Sequence, residues 1–311
     1  MSNWQFRNLI RKVVCPVLAR FEPPPFQEVS WGMDFPDRHF LVVRRHEPQA
    51  GLCSHFITTV GWIRWAVEHD MIPVVDLQNV RNMYLGWREL GKINAWESFF
   101  EQPCGFALSD IRHAKHVTIA NRLPSVAPGG SVEMLSCCDG QLARWREIVR
   151  DYIKVNKLAI EPFRNKEFEA ALLDGVVGVL ARGTDYVRLR PHHHPVQPSA
   201  EQLVEKVRER FIGRPVYLVT EDASIVEVFR SAFGRRLIMS CQKCVDYSNG
   251  YLSDCKGVKH DRLRGQAYLK AIVDLFRCQH IIAGRTSGTV AAAVLLRGFE
   301  SSFYVDLGAY P

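Results

Sequence analysis

The sequence predicts an α/β protein made of two open, Rossmann-like lobes with a ligand cleft between them. Three observations lead there. The chain has 311 residues, 47% hydrophobic and 23% charged, enough to bury two cores rather than one. Short apolar runs alternate with helical periodicity in the first half, and the alternation returns more clearly in the second. The crossing between lobes is placed near residues 155–168. This gives an N-terminal helix and connector over 1–30, a first lobe over 31–165 and a second over 166–311.

Taken in order, Leu9, Val13, Val14 and Leu18 lie among basic neighbours. Residues 4–21 therefore read as an amphipathic helix, packed on the protein or lying on an anionic membrane face. Pro23, Pro24 and Pro25 end it. Residues 39–43 form a buried strand, and Phe56, Val60, Ile63 and Val67 recur at helical spacing over 54–69. Residues 71–77 are the next strand, with Asp76 at its carboxyl end. This strand–helix–strand unit implies a parallel sheet. Pro124, Pro128, Gly129 and Gly130 mark a loop, and Leu142, Trp145, Val149 and Tyr152 share one face of a helix over 140–155. In the second lobe, 175–181 is a strand, and Ser199 with Gln202 forms a capping box for a helix carrying Leu203, Val207 and Phe211. A strand over 216–219 precedes a helix through Ile225, Phe229 and Phe233 that stops at Gly234. A helix over 265–278, a strand over 280–283 and a helix over 289–296 complete the alternation.

Lys and Arg number 40 against 33 Asp and Glu, a formal charge of +7. That balance suits phosphates, nucleic acid or an acidic membrane. The basic residues are dispersed and no nucleic-acid-binding motif is present, so a nucleic-acid partner is not expected. Nine cysteines, an odd number without a regular framework, point to a reducing compartment. No uninterrupted apolar segment has secretory or spanning length. A cytoplasmic protein is expected, with peripheral contact at the inner membrane as an addition.

Ligands of open α/β sheets bind outside the carboxyl ends of the strands, and three candidate segments fall there in the second lobe. Arg182, Gly183, Thr184 and Asp185 follow the first strand; a guanidinium there can grip a diphosphate bidentately, with Asp185 orienting it or binding a sugar hydroxyl. Thr220, Glu221 and Asp222 follow the second, where Asp222 either caps the next helix or faces a ligand. Gly284 to Thr289 follow the third, where Thr286, Ser287, Gly288 and Thr289 present helix-terminal amides to an anion. Together they describe a cradle for a nucleoside diphosphate.

The runs VVGVLARGTDY with HPVQPSAEQL, VYLVTEDASIVEVF, and RLRGQAYL with CQHIIAGRTSGT resemble the three donor-site motifs of the fucosyltransferase superfamily, which includes the α-1,6-, nodulation and protein O-fucosyltransferases. GLCSHFITTVGWIRWAVEHDMIPVVDLQN is similar to the family's first strand–helix–strand unit, and NAWESFFEQP to its Trp-Glu segment. The likeness runs over residues 40–300. It implies a GT-B-like fold with an acceptor lobe followed by a donor lobe. It further implies a GDP-fucose donor, or another nucleotide sugar, inversion at the anomeric carbon, a glycan acceptor, and no metal or cofactor. A place in polysaccharide biosynthesis is expected with it. By position, Arg182 matches the arginine on the donor β-phosphate, Asp185 the acid of that motif, Asp222 the second acid of a Thr-Asp-Asp segment, and Ser287 a serine whose turn meets the diphosphate. His194 belongs to a loop that the resemblance places over the donor. This chain departs by carrying Gly183 where a second arginine is common, and Lys270, Ala271 and Asp274 where an acid usually faces guanine.

On the acceptor side, Ser54, His55, Asp76 and Glu97 are the candidates. Cys241, Cys244, Cys255 and His260 have the ligand types of a Cys₃His zinc site, but the second half lacks a Cys-x-x-Cys pair. Trp62, Trp65 and Trp87 are able to stack on a sugar; Trp62 and Trp65, on a helix, are read first as core. A catalytically silent nucleotide- or glycan-binding module of the same fold is the alternative function, with a basic nucleic-acid-binding protein ranked behind it.

Overall fold

The computed structural model describes residues 25–121, 139–190, 192–241, 261–295 and 302–311. The expected helix over 4–21, the loop through Gly129 and Gly130, and Cys244, Cys255 and His260 lie outside them. Two sheets organise the chain. The first is four-stranded in the order β1-β4-β2-β3, the second five-stranded in the order β7-β6-β5-β8-β9.

In the first sheet, β2 (Asp34–Val43) is flanked in parallel by β3 (Ile72–Val75) and β4 (Ala114–Ala120), and β1 (Phe26–Val29) closes the edge antiparallel to β4. Helix α1 (Leu52–Glu68) makes the β2–β3 crossover. The sequence reading placed β2, α1 and β3 and missed β1 and β4. The apolar run of β4, Val117 to Ala120, is paired on both sides.

The chain continues through α2 (Asp139–Tyr152) and two short helices, α3 (Lys157–Ile160) and α4 (Lys166–Ala171), to the second sheet. There β5 (Val177–Leu180), β6 (Val216–Val219) and β8 (His280–Ala283) run parallel, with Val177 opposite both Val216 and His280. Strands β7 (Leu237–Met239) and β9 (Ser302–Tyr304) extend the sheet on either side. β5 and β6 are buried along their whole length, the signature of a parallel sheet covered on both faces. Helices α5 (Thr184–Leu189), α6 (Ala200–Arg210), α7 (Ala223–Phe233), α8 (Arg262–Arg277) and α9 (Ser287–Leu295) make the connections. The capping box of Ser199 and Gln202 opens α6. Gly234, at φ 53°, ends α7 in a backbone region that a side chain would strain.

The cores are not as separate as two lobes suggest. One apolar cluster runs from Phe56, Trp96 and Leu142 on the first-sheet side to Tyr217, Leu275 and Ala292 on the second. Its hinge is α9, whose small residues pack on both α1 and α2. A further cluster, with Leu203, Phe229 and Phe233, covers the opposite face of the second sheet. No helix of the described residues is long and apolar enough to cross a membrane.

Candidate functional site

The carboxyl end of β5 delivers Arg182. Its Nη1 donates to Glu221 Oε1 at 2.9 Å, and the two side chains are 26% and 4% exposed. Glu221 leaves the end of β6, the next strand, so a cation and an anion on adjacent strand ends meet across one sheet edge. Asp222 beside it caps α7: Oδ1 accepts from the Ser224 amide at 2.9 Å and from the Ser224 hydroxyl at 2.6 Å. Of the two readings open for Asp222, the structure displays the cap. Gly183 explains its own identity. A Cβ there would run into the Asp222 carboxylate, so no second side chain fits beside Arg182.

The third strand end closes the cradle. Thr286 Oγ1 accepts from the Thr289 amide at 3.1 Å, and Thr289 Oγ1 donates to the Gly284 carbonyl at 2.7 Å. The Thr289 amide is therefore spent on the helix cap, which leaves Ser287 and Gly288 as first-turn amides of α9 that no side chain among the described residues caps. Ser287 is half-buried and Gly288 buried.

The first sheet meets this edge through the start of α1. Its N-cap is Gly51, and no side chain caps the first turn. Cys53, in that turn, lies close to Tyr268 of α8, and both feel the charge of Arg182. Burial pushes the Cys53 thiol up to about 12, with Tyr268 and Arg182 acting the other way. It stays a neutral thiol and is no nucleophile. Burial likewise raises the Tyr268 phenol well above its usual range. Tyr268 also crowds Gly288, so α1, α8 and α9 converge within one side chain of each other. Arg182, Asp222, Ser287, Ser54 and Tyr268 itself are part-exposed.

Other expected residues sit differently. His55 is 1% exposed, its Nε2 has no hydrogen-bond partner among the described residues, and burial, aided by Arg45, lowers its pKa to about 3. Asp76 is fully buried; it accepts from Arg44 at 2.7 Å, from the amides of Gln78 and Asn79, and from the Asn79 side chain. That carboxylate staples the turn after β3 and faces no open space. Glu97 is exposed, and its carboxylate accepts from Gln102 at 2.9 Å. Asp76 and His55 are thus sealed from solvent, and Glu97 is held by its own loop.

His194 is half-buried. Its carbonyl accepts from the Tyr310 amide at 2.9 Å, and Gln197 of the same loop donates to the Arg285 carbonyl at 3.1 Å. The His192–His194 loop is therefore pinned to the C-terminal segment and to the turn before α9. Burial lowers the His194 pKa. The backbone of α5 includes Thr184 and Asp185, but their side chains lie outside the described residues. Asp274, one of the alternatives for facing a guanine base, is sealed in the core, paired with Lys270 and 3.5 Å from both Arg277 and the Tyr217 hydroxyl. Cys53, Cys104, Cys241 and Cys278 are free thiols. Among the described residues no three His, Cys, Asp or Glu side chains cluster as metal ligands would. The sequence marks Glu221 only as part of a strand-end segment, and Tyr268 not at all. The only signal for Glu221 was its place beside Asp222 at a strand end.

Two α/β sheets joined through a helical core give the chain a GT-B-like architecture. Among solved structures, the chain is similar to the fucosyltransferase NodZ from Bradyrhizobium, with a TM-score of 0.50 and 15% identity over 85% of this chain and 96% of that one. NodZ α-1,6-fucosyltransferase soaked with GDP-fucose aligns at a TM-score of 0.46 and 15% identity over 83% and 93%. The apo-form of POFUT1 aligns at 0.48 and 12% over 86% and 97%. The fold is thus one that the fucosyltransferase NodZ shares. No protein-family model matches the chain, and no curated protein matches it by sequence.

Proposed function

We propose that the chain is an inverting, metal-independent glycosyltransferase that moves fucose from GDP-fucose to a glycan acceptor. The observation that carries this reading is Arg182, a part-exposed guanidinium at the β5 end, paired with Glu221 and within electrostatic reach of Tyr268, whose hydroxyl crowds Gly288 in the first turn of α9. The fold it shares with NodZ, a fucosyltransferase, supports the same conclusion. As the bond from the sugar's anomeric carbon to the phosphate oxygen breaks and the acceptor oxygen bonds to that carbon, negative charge collects on the departing diphosphate. Arg182 and the Ser287 and Gly288 amides absorb it, while the acceptor's proton passes to solvent. Preorganised donors of this kind are worth about 10²–10³ in rate each. The donor is taken by residues 166–311 and the acceptor by residues 31–165. The setting is cytoplasmic polysaccharide assembly, with peripheral contact to an anionic membrane through residues 4–21.

The Arg182–Glu221 pair also favours a second reading, a nucleotide-sugar-binding protein without turnover, because a diphosphate must share the guanidinium with a carboxylate. A thermal-shift panel of GDP, UDP, dTDP and CMP with their sugars separates the possibilities. Ligand at about 100 times its Kd adds about 2.7 kcal/mol of stability. Stabilisation by GDP-fucose together with GDP release supports the enzyme. Stabilisation without release supports the silent module, and no response to any nucleotide refutes both.

A further inference from the structure

We propose that the hollow beside Trp87 binds an anionic saccharide and forms the acceptor-side subsite. That role rests on the transferase reading; the binding itself does not. The cavity, about 390 Å³, opens where the loop after β3 leaves the carboxyl end of the first sheet, and Pro48, Gln49, Arg81, Leu85, Trp87 and Leu90 line it. Its volume lies in the range of small-ligand sites, which pair an apolar floor with a few polar groups.

Three observations select the ligand. The Trp87 indole is 81% exposed, an unusual position for so large an apolar ring, and the Arg88 guanidinium lies over it at 4.9 Å. A ring held by a cation on one side is a ready stacking platform for the apolar C–H face of a sugar. Arg81 and Gln49 are exposed and make no hydrogen bond or ion pair among the described residues. Guanidinium forks bind carboxylates and phosphates bidentately, and a planar amide pairs with hydroxyls. No acidic side chain lines the cavity, so charge complementarity points to an anionic sugar rather than a cationic one.

The hollow is also built rather than incidental. Asn82 spends its side chain on the wall, donating to the Leu77 carbonyl at 2.9 Å and the Val80 carbonyl at 3.0 Å and accepting from the Tyr84 amide at 3.0 Å. Glu89 ties the far end down. It accepts from the Gly86 amide at 2.8 Å and from Arg262, at the start of α8, at 2.5 Å. The wall is thereby anchored to the second half of the chain, close to the junction that holds Cys53 and Tyr268.

The test is calorimetric titration of the full chain, without nucleotide, against trigalacturonate, maltotriose and inorganic phosphate, with intrinsic fluorescence read in parallel. Trigalacturonate is expected to bind and to quench fluorescence. Trp87→Ala should weaken it about tenfold or more and abolish the quench, as loss of an aromatic anchor does, whereas Trp87→Phe retains binding. Arg81→Ala should erase the preference for trigalacturonate over maltotriose. Because both side chains are exposed, circular dichroism of the variants should match the parent. The proposal is overturned if neither saccharide binds, if phosphate binds but the saccharides do not, if Trp87→Ala binds like the parent, or if maltotriose binds as tightly as trigalacturonate. A chain that GDP-fucose stabilises but that ignores trigalacturonate loses this subsite alone. One that binds trigalacturonate through Trp87 and ignores every nucleotide loses the donor reading alone.

Discussion

Replacing Arg182 probes stability and chemistry at once, and the geometry sets a magnitude for each. In Arg182→Ala, the nearly buried Glu221 carboxylate loses a cation 2.9 Å away. Breaking a fully buried pair costs about 3–5 kcal/mol. The Arg182 side chain is 26% exposed, so water reaches the pair and screens it, reducing the expected cost to about 1–2 kcal/mol. Glu221→Gln keeps an acceptor for Arg182 and should cost about 0.5–1 kcal/mol. The double variant should then be more stable than the sum of the two predicts, by a coupling of about 0.5–1.5 kcal/mol, as for residues in direct contact. Urea unfolding of the parent, both single variants and the double variant yields that coupling. Turnover follows the chemistry instead. GDP release from GDP-fucose by folded Arg182→Ala should fall by about 10²–10³, and restoring stability through Glu221→Gln should not restore it. Turnover within about threefold of the parent in a folded Arg182→Ala protein would refute the assignment of Arg182 to the departing diphosphate.

Gly183→Ala should lower stability by about 1–3 kcal/mol, because the added methyl displaces the Asp222 carboxylate from its cap on Ser224; circular dichroism melts check this. His55 is buried with its pKa lowered from 6.5 to about 3, so below pH 6.5 the unfolded chain takes up a proton that the folded one refuses. Its contribution is present above pH 6.5 and is lost at about 1.4 kcal/mol per pH unit as the pH falls toward 3, and the slope should flatten in His55→Gln if urea midpoints are followed from pH 7 to 4. Asp76→Asn should cost about 2–4 kcal/mol through loss of the Arg44 pair and the turn, while kcat measured on the folded fraction stays within about threefold; a collapse of kcat at full stability would show instead that Asp76 acts on substrate.

The parts of the fold legible in sequence are those dictated by local pattern. Strands β5 and β6 are apolar runs of buried residues and β8 is one after the half-buried His280, α7 carries its stop signal in Gly234, and α6 carries its start in Ser199 and Gln202. Strand β1 was missed because its residues are mostly exposed and its pairing partner lies about ninety positions away in β4. Among site residues, the position of Arg182 at a strand end follows from the same alternation, but its partner does not. Glu221 and Asp222 are adjacent acids at the end of β6. Only the sheet order, with β6 beside β5, turns the first toward Arg182 while the second bends back to its own helix.

The amino-acid sequence by itself determined the α/β alternation, the strand ends where charge gathers and the basic balance, because periodicity, capping and composition act over a few residues. Tertiary structure decided which polar groups reach solvent. His55 and Asp76 have ordinary site chemistry on paper, yet long-range packing closes over both, and α9 joins the two sheets through a core shared with α1 and α2. Burial and charge pairing depend on which distant segments meet, and that is a property of the folded chain alone.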